Sequence, residues 1–446
     1  MTNEIKKIPY GISDYAPIRQ ENFYYVDKTR YIKDTEDAGR YLFFIRPRRF
    51  GKSLFISILE AYYDILMKDR FDFFFNNTWI SHHPTPQRNA YLILSLNFSE
   101  IRSTIDQLEK SFYHDIIETG DRFISKYGNL LGIDEQKTIS ELKTRENAPD
   151  ALRYLISLAR KSGQKLYVII DEYDNFANTI ISEKGKAAYH EITRGEGFFR
   201  SFFNVLKAGT TGIEAPVTRL FITGVSPVTM DDVTSGFNIG DNISLTPAVN
   251  GMIGFTSKEI REMLDYYQSV GYLKHEPEYL LELMAEWYGQ YKFSEHAPDD
   301  QRLFNSDMVL YFLKEYFRIQ TIPGDLVDRN VRIDYGKLRH LIILDKGKSK
   351  TTNGNFSKLK EIIEDGGTST TISRGFPLEE MMDSNNFKSL LFYFGLLTIK
   401  GPERDKLRLQ IPNETVKRLY YDYIKDAYGE TGIFSIDLST YANLMT

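Results

Sequence analysis

The chain contains no cysteine. That excludes disulfide frameworks, thiolate zinc sites and thiol nucleophiles, and it suits a reducing compartment. An excess of either charge is also missing. Lys and Arg number 56 against 61 Asp and Glu, so a net charge of −5 offers no global polycation to nucleic acid. No run approaches the roughly 18 consecutive apolar residues of a membrane-spanning helix. The first residues, Met1 to Pro9, lack the apolar core of a signal peptide. A protein working in the cytoplasm, away from the membrane, is the expectation. Tryptophan is scarce, with 2 residues, whereas Tyr and Phe reach 30 each and must fill much of the core. At 446 residues and 42% hydrophobic composition, the chain reads as an ordinary globular protein of two or three domains.

What the chain does have is Arg46-Pro-Arg-Arg-Phe-Gly-Lys-Ser53. An apolar run, Tyr41 to Ile45, precedes it, and Leu54 to Asp64 follows with helical spacing. Strand, turn with Gly-Lys-Ser, then helix is the setting of a phosphate-binding loop. Backbone N–H groups at the helix start face the phosphates, and the helix dipole favours their charge. Arg48, Arg49, Phe50, Gly51, Lys52, Ser53 and Leu54 are the expected nucleotide-binding residues. Lys52 reaches the β- and γ-phosphates, and the Ser53 hydroxyl ligates Mg²⁺. One position departs from the full pattern, which has a glycine where this chain has Arg46. A side chain there must point away from the phosphates or meet them at the rim.

The second signal is Leu166-Tyr-Val-Ile-Ile-Asp-Glu-Tyr-Asp174, a continuous apolar strand ending in carboxylates. Asp171 is placed to hold Mg²⁺ through water and Glu172 to polarise the attacking water. Asp174 either assists by hydrogen bonding behind them or caps the next segment. Between the two motifs lies another buried strand, Tyr91 to Asn97. A further strand, Thr218 to Ser226, carries Thr223 as a candidate γ-phosphate sensor, with Ser226 behind it; a turn-forming Thr-Gly is an equal reading. Asn242 to Leu245 reads as a short last strand, and Asp231 to Gly240 as a mobile loop at the active edge.

Upstream, Tyr24 and Tyr25 are able to cover a base, but anchoring of an N-terminal strap is the reading we favour. Lys68 to Asn89 reads as a surface loop, and adjacent His82 and His83 do not converge on one metal ion there. The Glu-x-Lys pairs Glu135/Lys137 and Glu141/Lys143 resemble a nuclease motif but sit in helix-prone sequence without a strand beneath. From Thr256 the pattern becomes helical: Ser257–Tyr267, Glu276–Trp287 and Leu303–Phe317. Asp345 to Asn355 is basic, small and apolar-poor, the composition of a hinge. The end reads as helix (Asn386–Gly395), hairpin (Leu396–Ile411) and helix with Asn413 as cap, the plan of a winged helix. The expected divisions are 1–255, a strap and P-loop core; 256–345, a helical lid; 346–384, a linker; and 385–446, the winged helix.

Taken together, these stretches resemble the bacterial AAA-ATPase-like family of P-loop proteins, related to archaeal and STAND-type ATPases. The resemblance rests on Ile8 to Asp14, Tyr25 to Thr29, Arg46 to Leu54, Ile170 to Asp174, Phe221 to Ser226, Gly254 to Thr256, Trp287 to Phe293 and Ile411 to Asn413. It implies an α/β fold, a parallel P-loop NTPase sheet with helices on both faces and the loop strand beside the sensor strand. A helical lid and a winged helix follow. It carries over Lys52 and Ser53 as phosphate and Mg²⁺ groups and Asp171 with Glu172 as the Walker B pair. Many relatives continue into a nuclease-like domain. This chain stops where that domain would begin, near Leu438, so the expectation is either a shortened piece of such a protein or a form that lacks the effector. Relatives share the arginine at the Arg46 position.

The function expected is that of a Mg-ATP-binding ATPase acting as a conformational switch. The alternative is a nucleotide-gated module with negligible hydrolysis that controls a protein partner or nuclease. ATP or ADP and Mg²⁺ are the implied ligands, and self-association is compatible with the family. A nucleic-acid motor lacks support in the charge pattern.

Overall fold

Four apolar runs with β-branched and aromatic residues form the strands that the hydrophobic pattern predicts. They are β1 (Tyr41–Ile45), β2 (Leu92–Asn97), β3 (Leu166–Asp171) and β4 (Val217–Gly224). Nearly every residue in them is buried, as expected of strands covered by helices on both faces. The computed structural model describes residues 4–100, 105–175, 197–228, 239–331, 354–377, 380–381 and 383–430. With β5 (Asp241–Asn242) the strands form one parallel sheet in the order β2-β3-β4-β1-β5. The loop strand β1 therefore lies beside β4, and β4 beside β3. The register sets Ile45 opposite Gly224 and Asn97 opposite Asp171, so the polar ends of the strands meet at one carboxyl edge.

Helices form where the spacing predicts them. Asn147 caps Ala148–Lys161, its side chain accepting from Asp150 N at 2.9 Å. The Glu135–Lys143 segment is a helix capped by Asp134, which leaves the nuclease-like pairs without a strand beneath them. Lys68 to Asn89 differs from the expected loop. Phe71–Phe75 and Trp79–His82 are short helices, because Phe71, Phe74 and Phe75 are drawn into an aromatic core with Tyr15 and Tyr62. His83 stacks on Trp79 at 4.2 Å between ring centres and stays exposed. Among the described residues no three His, Asp or Glu side chains gather as metal ligands.

After the sheet, β6 (Phe255–Thr256) pairs antiparallel with β7 (Leu303–Phe304) and closes off the helices Ser257–Ser269 and Pro277–Tyr288. Helix Ser306–Ile319, in the region expected to be the lid, follows. The expected linker also differs. Helix Gly354–Glu364 and β8 (Gly367–Thr370) lie in it, and β8 pairs with β10 (Lys406–Gln410), which pairs with β9 (Thr398–Glu403). The C-terminal module therefore begins before residue 385. Gly367 to Thr370 is short and polar, and it is a strand only because the hairpin offers it an edge. The expected helix beginning at 183 falls outside the described residues as far as 196. So do most of the loop Asp231 to Gly240, most of the hinge from Asp345, and Leu438.

The turn Trp287 to Phe293 is the plate on which the C-terminal module sits. Asn413 Nδ2 donates to Gly289 O at 2.9 Å, Thr415 Oγ1 to Trp287 O at 2.7 Å, and Lys292 N to Thr398 Oγ1 at 2.8 Å. Asn413 also caps the last helix, Glu414–Glu430, by accepting from Val416 N.

Arg46 reaches the same plate from the other side. Its side chain is 1% exposed and points away from the cavity at the strand ends, into the core. The guanidinium lies between the rings of Phe44 and Phe293, 4.5 and 4.4 Å from their centres, and donates to Ser244 O at 2.5 Å and Ile45 O at 3.0 Å. Burial pushes it down to about 9, so it stays protonated at neutral pH. A charge so placed is tolerable because carbonyl oxygens and ring faces replace its water.

Two substitutions test this packing. Arg46→Gly, which restores the glycine of the full loop pattern, is expected to destabilise the chain by on the order of 3 kcal/mol, since carbonyls and rings lose their partner. Asn413→Ala should cost about 1–2 kcal/mol through the lost cap and the lost bond to Gly289. Urea unfolding midpoints measure both, and an Arg46→Gly protein as stable as wild type would refute the account of the buried guanidinium.

Candidate functional site

The loop leaves β1 and turns into helix Lys52–Tyr63 through an alternation of backbone sign. Arg49 has φ +67° and Gly51 φ +99°, while Phe50 between them stays on the usual negative side. Such alternation turns successive N–H groups toward one point and forms an anion-binding nest. Gly51 takes the left-handed position at no cost, whereas Arg49 is strained there. The strain is held by the lid helix, whose Asp307 N and Ser306 Oγ both donate to Arg49 O at 3.3 Å. The Phe50 ring turns into the core, edge-on to Tyr291 and Phe293.

Lys52 Nζ donates to Arg46 O and Pro47 O, each at 3.0 Å, and so spans the mouth of the loop. Ser53 Oγ donates to Asp171 Oδ2 at 2.7 Å, which joins the loop helix to the end of β3. Asp171 Oδ1 accepts from Glu172 N at 2.9 Å, and Glu172 is held at φ +51°. A hydroxyl and a carboxylate oxygen so close make a hard-oxygen pair of the kind Mg²⁺ takes together with water. Burial pushes Asp171 and Glu172 above the usual carboxylate range, with Lys52 pulling both back. Burial pushes Lys52 down, opposed by Asp171, Glu172 and Asp174.

Asp174 is buried and ties β3 to β4. Its carboxylate accepts from Val225 N at 3.1 Å and from Ser226 N at 2.6 Å. Tyr173 OH donates to Ser226 O at 2.6 Å. Gly224 is required by this approach, since a methyl there would lie 2.3 Å from Asp174 Oδ1. Asp174 thus braces the backbone that follows β4 against the end of β3. Thr223 is fully buried near the end of β4. Among the described residues its hydroxyl has no hydrogen-bond partner, and it does not line the cavity.

A cavity of about 510 Å³ opens over the loop, in the size range of small-molecule sites. Arg48, Arg49, Phe50, Gly51, Lys52, Ser53, Leu54 and Glu172 all line it. Tyr24 and Tyr25 from the strap line it too, yet both are also packed. Tyr24 lies against Tyr266 and Tyr267, and Tyr25 against Tyr15. Three lining residues were not marked by their sequence context. Buried Lys28 pairs with Glu259 at 2.7 Å and donates to Gly251 O at 3.0 Å, which ties the strap to the capping box of helix Ser257–Ser269. Asp307 pairs with Arg49 at 2.8 Å, and Asn175 follows the Glu172 turn. Lys28 lies in the Tyr25 to Thr29 stretch, where nothing local sets its side chain apart from a solvated lysine. Asp307 looks like any acidic first-turn residue.

Comparison with known proteins follows the same residues. The profile of a family described as predicted AAA-ATPase matches residues 9–234. An uncharacterised protein from the vnfD 5′ region of Azotobacter chroococcum mcd 1 is 26% identical over 323 residues. The match covers 70% of this chain and 53% of that protein, so the chain spans about half the length of the curated relative. Among solved structures, the ORC2 protein of Aeropyrum pernix in ADPNP-ADP complexes is similar at a TM-score of 0.39 and 11% identity, over 93% of this chain and 98% of that one. Cdc6p from Pyrobaculum aerophilum is similar at 0.38 and 12%, over 92% and 98%. The family profile takes in the loop, the Asp171-Glu172 strand end and Thr223 together, and the chain belongs to the predicted AAA-ATPase family.

Proposed function

We propose that the chain binds ATP with Mg²⁺ in the cavity over Arg46–Ser53 and hydrolyses it slowly, using the cycle to switch its own conformation. The observation that carries this reading is the nest at Arg49–Gly51 with Lys52, Ser53, Asp171 and Glu172 gathered around it. Backbone N–H groups and Lys52 hold the phosphates; Ser53 and Asp171 hold the metal. When bound, Mg²⁺ neutralises charge between the β- and γ-phosphates. Glu172 orients and deprotonates water, a role for which a raised pKa suits it. Asp174 keeps β4 in register with the Glu172 turn, while Thr223, fully buried and outside the cavity lining, has no part as sensor in this scheme. Tyr24 and Tyr25 flank the base while anchoring the strap.

A second reading has its own support. The first half of the loop is seated on the C-terminal module, which we take to be a winged helix. A methyl on Gly395 would lie 2.9 Å from Pro47 Cγ, and Phe293 covers Arg46 while touching Phe392. A site wired this way to a second module suits nucleotide-gated control of a protein partner or nuclease, with negligible turnover.

Steady-state ATP hydrolysis and nucleotide binding, with and without DNA, separate these. Lys52→Ala should weaken binding at least tenfold. Glu172→Gln should bind normally and lose about 100-fold or more in turnover. Wild type and Glu172→Gln that bind ATP but are equally inert would leave the gated module. Many-fold stimulation by DNA would instead point to a nucleic-acid motor.

The pH dependence follows from the raised Glu172. A base is active when deprotonated, so turnover should fall with pH through a midpoint above the ordinary glutamate value of 4.5. A pH–rate profile whose acid limb is the same in the residual activity of Glu172→Gln would assign that limb to another group.

A further inference from the structure

Arg49 is a loop residue whose side chain is held by carboxylates of the lid region. Its Nη1 lies 2.8 Å from Asp307 Oδ2 and 3.9 Å from Asp328 Oδ2. Asp307 stands in the first turn of helix Ser306–Ile319, and Asp328 accepts a hydrogen bond from Tyr10 of the N-terminal strap. Strap, loop and lid therefore meet at one guanidinium. Arg49 and Asp307 both line the cavity that holds Lys52 and Ser53. The carboxylates stand where a triphosphate would bring several more negative charges, and the guanidinium offers only a limited set of N–H donors.

We infer that Arg49 is a phosphate ligand held in reserve by Asp307, so that nucleotide and lid compete for the same guanidinium. This rests on the nucleotide-binding reading above and adds to it a regulation of the same site. With the cavity free of nucleotide, Arg49 closes the ion pair to the lid helix and to the Asp328–Tyr10 contact. When phosphate enters, the guanidinium turns to it, and Asp307 gives up its bond to Arg49 and faces the added negative charge. The lid helix then loses the carboxylate's tie to the loop, while the bonds of Asp307 N and Ser306 Oγ to Arg49 O remain. The strained φ of Arg49 serves this exchange. It aims the carbonyl at the start of the lid helix, so the backbone stays anchored while the side chain changes partner.

The sign of one substitution separates this from a purely structural ion pair. Asp307→Asn frees the guanidinium and should tighten binding of the imido analogue of ATP, with Mg²⁺, by about five- to tenfold. Arg49→Ala should weaken it by about tenfold. If the pair is only structural, both variants weaken binding. The double variant distinguishes competition from plain repulsion, because in the Arg49→Ala background Asp307→Asn should tighten binding less than twofold. Equal tightening in both backgrounds would mean that Asp307 merely repels the ligand, and the exchange would be overturned. Binding by Asp307→Asn that is unchanged or weaker overturns it as well. Thermal unfolding checks that the variants fold, and Asp307→Ser, compatible with a first helical turn, replaces Asn if that variant does not. The Lys52→Ala control keeps the two proposals apart. Failure of the analogue to bind, or binding indifferent to Lys52, removes the nucleotide reading and this one with it. Lys52-dependent binding with no response to Asp307→Asn removes only the exchange.

Discussion

A guanidinium buried behind the phosphate loop is the constraint around which the rest is arranged. Arg46 follows β1, and its contacts join that strand to separate parts of the fold. Phe44 is in the sheet, Ser244 follows β5, and Phe293 is on the plate that carries the C-terminal module. Burying such a cation costs several kcal/mol unless its N–H groups find acceptors, so these contacts must all be present together. The sheet edge, the segment after β5 and the Trp287–Phe293 turn are therefore not free to move separately. The carbonyls of Arg46 and Pro47 also receive Lys52. The residue that holds the modules together thus offers its own carbonyl to Lys52.

This also explains why glycine is dispensable at that position. In the full pattern a glycine there lets the chain turn without crowding the ligand. Here the side chain turns inward, so the loop opening is the same and the core gains an anchor. The conformational freedom that the loop needs is placed later, at Arg49 and Gly51, where φ is positive.

Much of this was legible in the chain itself. The apolar runs placed four strands of the sheet, and the order of the polar ends placed Lys52, Ser53, Asp171 and Glu172 at one edge. Those signals survive because they are local: a run of five or six apolar residues rich in β-branched and aromatic side chains and bounded by turn signals reads as a buried strand with little help from elsewhere. The contacts that complete the site are not local. Lys28 meets Glu259, and Arg49 meets Asp307, across more than two hundred residues. No periodicity marks a residue for such pairing. The strand Gly367 to Thr370 was invisible for a related reason, since its four polar residues acquire a strand conformation only from β10. Thr223 shows the limit from the other side. Its place in the strand was readable, but the direction of its hydroxyl depends on packing from both neighbouring strands.

The sheet carries a second buried arginine, and the contrast between the two shows which one can take part in function. Arg219 lies at the amino end of β4, where its guanidinium donates to Thr35 O and Gly39 O and sits beside the rings of Tyr63 and Tyr167. The chemistry resembles that around Arg46, carbonyls and ring faces in place of water. Its neighbours, however, are the helix before β1 and the core beneath the sheet, far along β4 from Glu172 and the loop. Changes there alter stability without a route to the phosphates. Arg46 has that route, because its own carbonyl is the acceptor of Lys52. Position along the strands, more than the residue type or its burial, therefore divides a structural cation from one that the ligand can feel.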